Sequence, residues 1–454
     1  MNILFVSLGC DKNRVDTEVM LGMLHSRGHS FTDDEEEAGA AVVNTCCFIG
    51  DAKEESINTI LELAERRKSG RLKALIVTGC LAERYREEIQ KEIPEVDEVL
   101  GVTATEKIVD ALDETIARNE LFSHKNYFDD VDKAPVGGQK RILTTGGLYN
   151  YLKIAEGCDK HCTYCIIPRV RGRYRSIPME DLLREAGDLA ENGVTELLVV
   201  AQETTLYGVD LYGKTRLPEL LHRLCEIEKL RWIRVLYCYP EEITDELIDC
   251  IRSEPKICHY LDIPIQSGSD EVLRRMGRKT SNKEIRQLVQ KLRENIPDVC
   301  IRTTLISGFP GESAKDHRQT YELVRDLKFD RLGVFTYSQE EDTPAATMPD
   351  QVSERTKKAR RNKLMRLQQE IAFEAAGRMV GRELLAVIEG RIDDNESDTL
   401  TYVGRTYKDA PDIDGYLFIT GVKRELMTGD YVKVLVTGSN EYDLIGELRD
   451  EFTE

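Results

Sequence analysis

Three cysteines within eight residues, Cys158, Cys162 and Cys165, constrain the fold of this chain more than any other feature. They lie in Gly157-Cys158-Asp159-Lys160-His161-Cys162-Thr163-Tyr164-Cys165, a C-x3-C-x2-C spacing. The apolar run Tyr151, Leu152, Ile154 and Ala155 just before them reads as a strand. On so short a loop the three thiolates can all point at one soft metal centre, and three close cysteines suit an iron–sulfur cluster. A 4Fe-4S cube bound by three protein thiolates keeps one iron open to a substrate or cofactor. Zinc is the alternative and normally takes a fourth Cys or His. His161 is the candidate for that place, but its position inside the loop, one residue before Cys162, disfavours it geometrically.

The 454 residues and net charge of −19 predict a chain of two to four domains with substantial cores. Twelve cysteines without a secretory signal argue for metal binding or catalysis in a reducing cytosol, not for a disulfide framework. Met1-Asn2-Ile3-Leu4-Phe5-Val6 lacks a basic leader and reads as a first strand, and no apolar run approaches a membrane span. A cytoplasmic protein without a membrane partner is therefore expected. The acidic balance disfavours broad binding to phosphate backbones and favours a basic protein partner.

Residues 1–122 alternate strands and helices, which predicts a small parallel α/β domain. The strands are Ile3–Val6, Ala41–Val43 and Ala74–Val77, and Asp16 is the expected cap of a helix carrying Val19, Met20, Met23 and Leu24. Each strand ends in a polar turn with a cysteine: Gly9-Cys10, Thr45-Cys46 and Gly79-Cys80. Parallel strands bring their carboxyl ends to one edge, so these cysteines, 34 to 36 residues apart, should converge. Small buried packing residues are the plainer reading of such cysteines; their shared strand-end position favours a second cluster. Cys47 is assigned to packing.

Residues 123–148, rich in Gly and without apolar period, read as a linker. From 149 to 376 six strand candidates, Tyr151–Ala155, Glu196–Ala201, Trp232–Leu236, Tyr260–Ile265, Val299–Ile306 and Leu332–Thr336, alternate with helical patterns. They predict a partial (β/α)6 barrel with its chemistry at the carboxyl ends of the strands. Gln202, Gln266, Ser267 and Gly308 lie in successive strand-end turns, where amides, hydroxyls and glycines suit a polar cofactor. Cys225, Cys250 and Cys300 fit core packing, and Cys238 and Cys258 stay unassigned. A basic helix between Pro349 and Val380 reads as a solvated face. Residues 377–454 turn to short strands, Leu384–Ile388, Tyr416–Ile419, Tyr431–Leu435 and Leu444–Gly446, as in small β-barrels that bind nucleic acid.

The cysteine loop resembles the signature of the radical S-adenosylmethionine (SAM) enzymes. Ser7–Asp16, Val43-Asn44-Thr45-Cys46 and Val77-Thr78-Gly79-Cys80-Leu81 resemble the amino-terminal domain of the methylthiotransferases within that superfamily. Asp11 departs from the proline common there, at a position that is not a ligand. The carboxy-terminal barrel resembles the TRAM domain that ends those enzymes. Asn440–Glu447 looks most like the branch that modifies an aspartate β-carbon in the twelfth small-subunit ribosomal protein. The resemblance implies two 4Fe-4S clusters, one on Cys158, Cys162 and Cys165 and an auxiliary one on Cys10, Cys46 and Cys80.

It further implies SAM bound at the open iron and cleaved to a 5′-deoxyadenosyl radical, with Tyr164 flanking the adenine. Gln202, Gln266, Ser267 and Gly308 would border SAM, while Arg302 is placed either to reach its carboxylate or to balance nearby acids. No side chain is assigned as a catalytic acid or base. A reducing electron donor and a sulfur source are implied as partners. The rival on the same scaffold is methylthiolation of a transfer-RNA adenosine, and the rival of another class is a non-catalytic iron–sulfur or RNA-binding scaffold. Residues 380–454 hold 8 Lys and Arg against 17 Asp and Glu, a balance of −9 that disfavours transfer RNA and favours the basic protein.

Overall fold

The computed structural model describes residues 1–118, 124–392 and 400–449. Strands Ala40–Thr45 and Ala74–Gly79 are buried along their whole length, as strands between two helix layers must be. They sit at the centre of a six-stranded parallel sheet ordered Ser30–Thr32, Asn2–Ser7, Ala40–Thr45, Ala74–Gly79, Glu98–Leu100, Lys125–Tyr127. One face packs on Met20 and Leu24 of helix Asp11–Ser26 and on Leu112 of helix Ile108–Arg118. The other packs on Ile60, Leu63 and Ala64 of helix Gly50–Lys68.

Helix Asp11–Ser26 starts after Cys10, five residues before the cap expected at Asp16. Asp16 is instead held by two cations of the central domain, Lys153 and Arg171, the second at 2.8 Å. Two charged partners outweigh a cap that the helix start no longer needs. The stretch 123–148 also carries more than a linker's share. Lys125–Tyr127 adds the edge strand, while Arg141 and Thr144 grip the fully buried Glu18 at 2.7 and 2.8 Å. Its composition hid this because the fastening is made by charges, not by an apolar period. The boundary expected at 122 lies outside the described residues.

The central sheet is open, parallel and six-stranded, ordered Tyr149–Lys153, Glu196–Val200, Trp232–Val235, Ile257–Asp262, Cys300–Ser307, Arg331–Thr336. All six predicted strands are present. The fourth ends at Asp262, not Ile265, in keeping with Pro264, which has no N–H to give a ladder. The carboxy-terminal domain is a closed five-stranded barrel, Glu383–Ile392, Leu400–Thr406, Leu417–Val422, Asp443–Leu448 and Tyr431–Asn440. Leu400–Thr406 is the strand its sequence did not announce, because its buried members include Arg405.

The two outer domains cap opposite ends of the central sheet. At the amino-terminal ends of its strands, the loop after Thr406 forms a floor. Arg405 donates to Glu196 at 2.8 Å beside Arg234 at 2.9 Å, Tyr260 donates to Asp414 at 2.7 Å, and Arg331 pairs with Asp409. Glu196, Arg234 and Arg405 are all essentially inaccessible to solvent. Removing Glu196 would leave the buried Arg234 with the Tyr407 carbonyl in place of a carboxylate and Arg405 with Glu389 alone, and breaking a buried pair typically costs about 3–5 kcal/mol. At the carboxyl ends, the amino-terminal domain forms the roof. Arg84 and Lys53 pair with Glu340 at 3.3 and 2.8 Å, and Tyr237 donates to Asp11 at 3.3 Å. The carboxyl edges of the two parallel sheets therefore face one another.

Candidate metal centres and cofactor cleft

The loop of three cysteines leaves the short strand Ala155–Glu156 through Gly157, whose φ is +79°. A Cβ there would sit 2.0 Å from the Arg173 carbonyl, so only glycine lets the chain turn. The Cys158 N–H donates to the Gly172 carbonyl at 3.2 Å, the Cys165 N–H to the Cys162 carbonyl at 3.0 Å, and the Thr163 N–H to the Met276 carbonyl at 2.9 Å. Cys158 and Cys162 are buried and Cys165 is half-buried. His161 is exposed with φ of +49°, in the left-handed region, so it turns outward and closes no fourth ligand position.

Burial pushes the Cys158 thiol up to about 12 and Cys165 higher still. Buried thiolates need a positive centre to exist, which is what bound iron supplies. Tyr239 and Arg278 stand beside Cys162, at 3.4 and 3.9 Å from its sulfur, with the guanidinium 4.1 Å above the tyrosine ring.

The other three cysteines end neighbouring strands and meet at the sheet edge. Cys10 precedes helix Asp11–Ser26 and Cys80 opens helix Cys80–Tyr85, so both sit where helix dipoles favour a thiolate. Cys46 exchanges backbone bonds with the Ser56 hydroxyl, both at 3.0 Å. Gly9, at φ of +91°, lets Cys46 come close: a Cβ there would lie 2.9 Å from the Cys46 sulfur. Burial raises Cys80 and Cys46, and Cys10 acts electrostatically on both. Cys47 is fully buried among Val77 and Leu81, as a packing residue is. Among the described residues no three Cys, His, Asp or Glu are grouped as ligands of a single ion. A cube takes each thiolate on a different iron, so both triads remain compatible with it.

Of the residues expected around SAM, Tyr164 lies edge-on to Phe309, ring centroids 6.5 Å apart, next to Gly308. Gln266 adopts φ of +69° and bridges to the strand that ends at Ser307, and its Oε1 is buried without a partner. Gln202 donates to Glu156 at 2.6 Å and its Oε1 is likewise unpartnered. Two orphaned amide oxygens at strand ends suit a ligand with N–H or O–H donors. Ser267 is turned into the protein, accepting from the Ser269 N–H at 3.2 Å beside Thr320. Arg302 pairs with Asp262 at 3.5 Å. Gly308 donates to Glu312 at 3.0 Å, and a Cβ on it would collide with Lys357 at 2.3 Å. Protein packing alone therefore requires that glycine.

Family models match three segments of the chain: the uncharacterized protein family UPF0004 over residues 2–101, the radical SAM superfamily over 152–324, and the TRAM domain over 380–448. A ribosomal protein uS12 methylthiotransferase RimO from Lachnoclostridium phytofermentans is 59% identical over 448 residues, covering 98% of this chain and 99% of the relative. The chain belongs to the uS12 methylthiotransferase family. A second member, from Alkaliphilus oremlandii, is 46% identical over 99% of this chain and 100% of its own. The radical SAM methyltransferase TsrM from Kitasatospora setae shares the fold, with a TM-score of 0.53 at 14% identity, covering 76% of each chain.

Within this methylthiotransferase, sequence reasoning missed the polar residues that surround both triads. Glu156, Arg171, Tyr239 and Arg278 each adjoin a Gly or Cys and Asn13 lies three residues past Cys10, but their own spacing carries no pattern that marks them as neighbours of a cluster. Arg171 sits in the charge-rich run Arg169–Arg175, which reads as surface, yet it is 1% exposed. A cation that close to a metal-ligand loop was the one available signal.

Proposed function

We propose that this protein methylthiolates the β-carbon of an aspartate in the basic ribosomal protein uS12, with Cys158, Cys162 and Cys165 holding one 4Fe-4S cluster and Cys10, Cys46 and Cys80 a second. The observation that carries the reading is the meeting of the two triads: each lies at the carboxyl edge of its own parallel sheet, and those edges face one another. When bound, the clusters and SAM would supply the electron and the radical that attack on an unactivated C–H bond requires, and the methyl group that caps the inserted sulfur.

The chain's own residues build the enclosure. Gln202 and Gln266 offer acceptors to SAM, and Tyr164 with Phe309 forms an apolar wall. The roof contacts of Arg84 and Lys53 with Glu340 fasten the amino-terminal domain over the central sheet. A reducing electron donor and a sulfur source complete the partners, and a ribosomal substrate puts the reaction in the cytoplasm. Among the described residues no helix is long and apolar enough to cross a membrane.

Charge supports the protein substrate over RNA. Asp409 and Asp414 of the carboxy-terminal domain are used against the central floor, together with Arg405. Without those three, residues 380–454 still hold 15 Asp and Glu against 7 Lys and Arg, a balance of charge in the sequence that disfavours phosphates and favours a basic protein. The test uses anaerobically reconstituted full-length protein with SAM and reductant, offered either uS12 or bulk transfer RNA. A methylthio mass gain on a uS12 aspartate is expected; the gain on RNA alone would overturn the substrate assignment.

A further inference from the structure

Arg171 ends the helix Ile167–Arg171, which follows the cysteine loop directly, yet its guanidinium reaches into the amino-terminal domain. Its Nε–H points at the Cys80 sulfur at 3.2 Å, and Nη2 donates to Asn13. On its other edge Nη1 donates to Asp16 at 2.8 Å and to Glu156 at 3.2 Å. Lys153 binds the same two carboxylates, reaching Glu156 at 2.9 Å. Two cations and two carboxylates thus form a closed, buried, neutral ring, from which one guanidinium edge is left over for Cys80. Glu156 also accepts from Gln202 at 2.6 Å, so hydrogen bonds run unbroken from the cofactor cleft to a cysteine of the other triad.

We propose that Arg171 is a positioning residue that couples the two cysteine sites and raises the reduction potential of the cluster held by Cys10, Cys46 and Cys80. This rests on the two-cluster reading above. An N–H donated to a ligating sulfur, with a positive charge behind it, stabilises the more negative reduced cluster. Arginine is required because four partners approach from different directions in the plane of a fixed fork, and a lysine ammonium cannot meet them all.

The test isolates the second cluster in full-length Cys158→Ala/Cys162→Ala/Cys165→Ala protein, reconstituted anaerobically, and follows its reduction by electron paramagnetic resonance at defined potentials. Adding Arg171→Met should lower the ratio of reduced to oxidised cluster about tenfold at the same poise, equivalent to about 59 mV for one electron. Arg171→Lys should recover part of that loss. Glu156→Gln, which leaves the ring with excess positive charge, should move the potential the opposite way. That reversal of sign distinguishes tuning from loosened packing and still decides the matter if Arg171→Met does not fold. An unchanged potential in Arg171→Met with its iron retained, or in Glu156→Gln, overturns the proposal. If the background protein binds no iron, the two-cluster reading fails and takes the proposal with it.

Discussion

The two cysteine triads solve the same problem by different means. Cys158, Cys162 and Cys165 come from one loop, so their convergence is local and is pinned by backbone bonds of 2.9 to 3.2 Å. Cys10, Cys46 and Cys80 come from three strand ends and converge only because the register of a parallel sheet brings Ser7 opposite Asn44 and Thr45 opposite Gly79. The first is a motif placed on a fold, and the second is a product of the fold. A local site tolerates strain elsewhere in the molecule, whereas an assembled one inherits every weakness of its sheet.

The largest expected effect separates the triads outright. Replacing Cys158, Cys162 and Cys165 by Ala should remove all 5′-deoxyadenosine formation and roughly half the bound iron; cleavage at the original rate would refute the assignment of the loop. Next comes Cys10→Ala/Cys46→Ala/Cys80→Ala, which should spare SAM cleavage and abolish the methylthio product, as read by mass spectrometry of the substrate. Product formed by that variant would break the comparison, since the assembled site would then have no part in the chemistry.

A finer probe compares the two tight turns. Gly9→Ala and Gly157→Ala each force a side chain into a left-handed conformation with no room, and each should cost about 1–3 kcal/mol. Gly9→Ala pushes Cys46 away from Cys10 and should deplete iron only at the assembled site. Gly157→Ala should deplete it only at the loop. Parallel iron and spectroscopic measurements on both variants check this, and equal loss at both sites in either one would contradict it.

The smallest effect is a pH dependence of the domain that carries the assembled site. Burial lifts Glu98 to about 7, against the pull of Thr115 and Arg118. Folding therefore favours its protonated form. The benefit is complete below about 4.5 and is lost as pH rises through about 7. The unfolding midpoint of the amino-terminal domain should fall as pH rises from about 4.5 to about 7, and Glu98→Gln should flatten that slope. A slope unchanged in the variant would assign the effect to another group.

Local pattern makes the loop, the six central strands and the three strand-end cysteines legible in the sequence alone. Period, Gly punctuation and cysteine spacing are all short-range signals. The failures were long-range and polar. Asp16 looked like a cap because its partners, Lys153 and Arg171, lie more than a hundred residues away. The stretch 123–148 looked like a linker because Arg141 finds Glu18 across the domain boundary. Arg405 hid a strand because a charge belongs in a core only when a partner such as Glu196 waits there, which no window of sequence reveals.

The floor under the central sheet also sets an order of events during synthesis. Glu196 and Arg331 leave the ribosome well before Arg405 and Asp409, their partners in the floor. At about 5–20 residues per second, the roughly 70 residues between the last central strand and Arg405 take on the order of ten seconds to emerge. For that interval Arg331 lacks the carboxylates of Asp409 and Asp414, Tyr260 lacks Asp414, and the sheet has nothing beneath it. Chains cut short before Arg405 stay in that state, and they are the forms a chaperone or protease should find first.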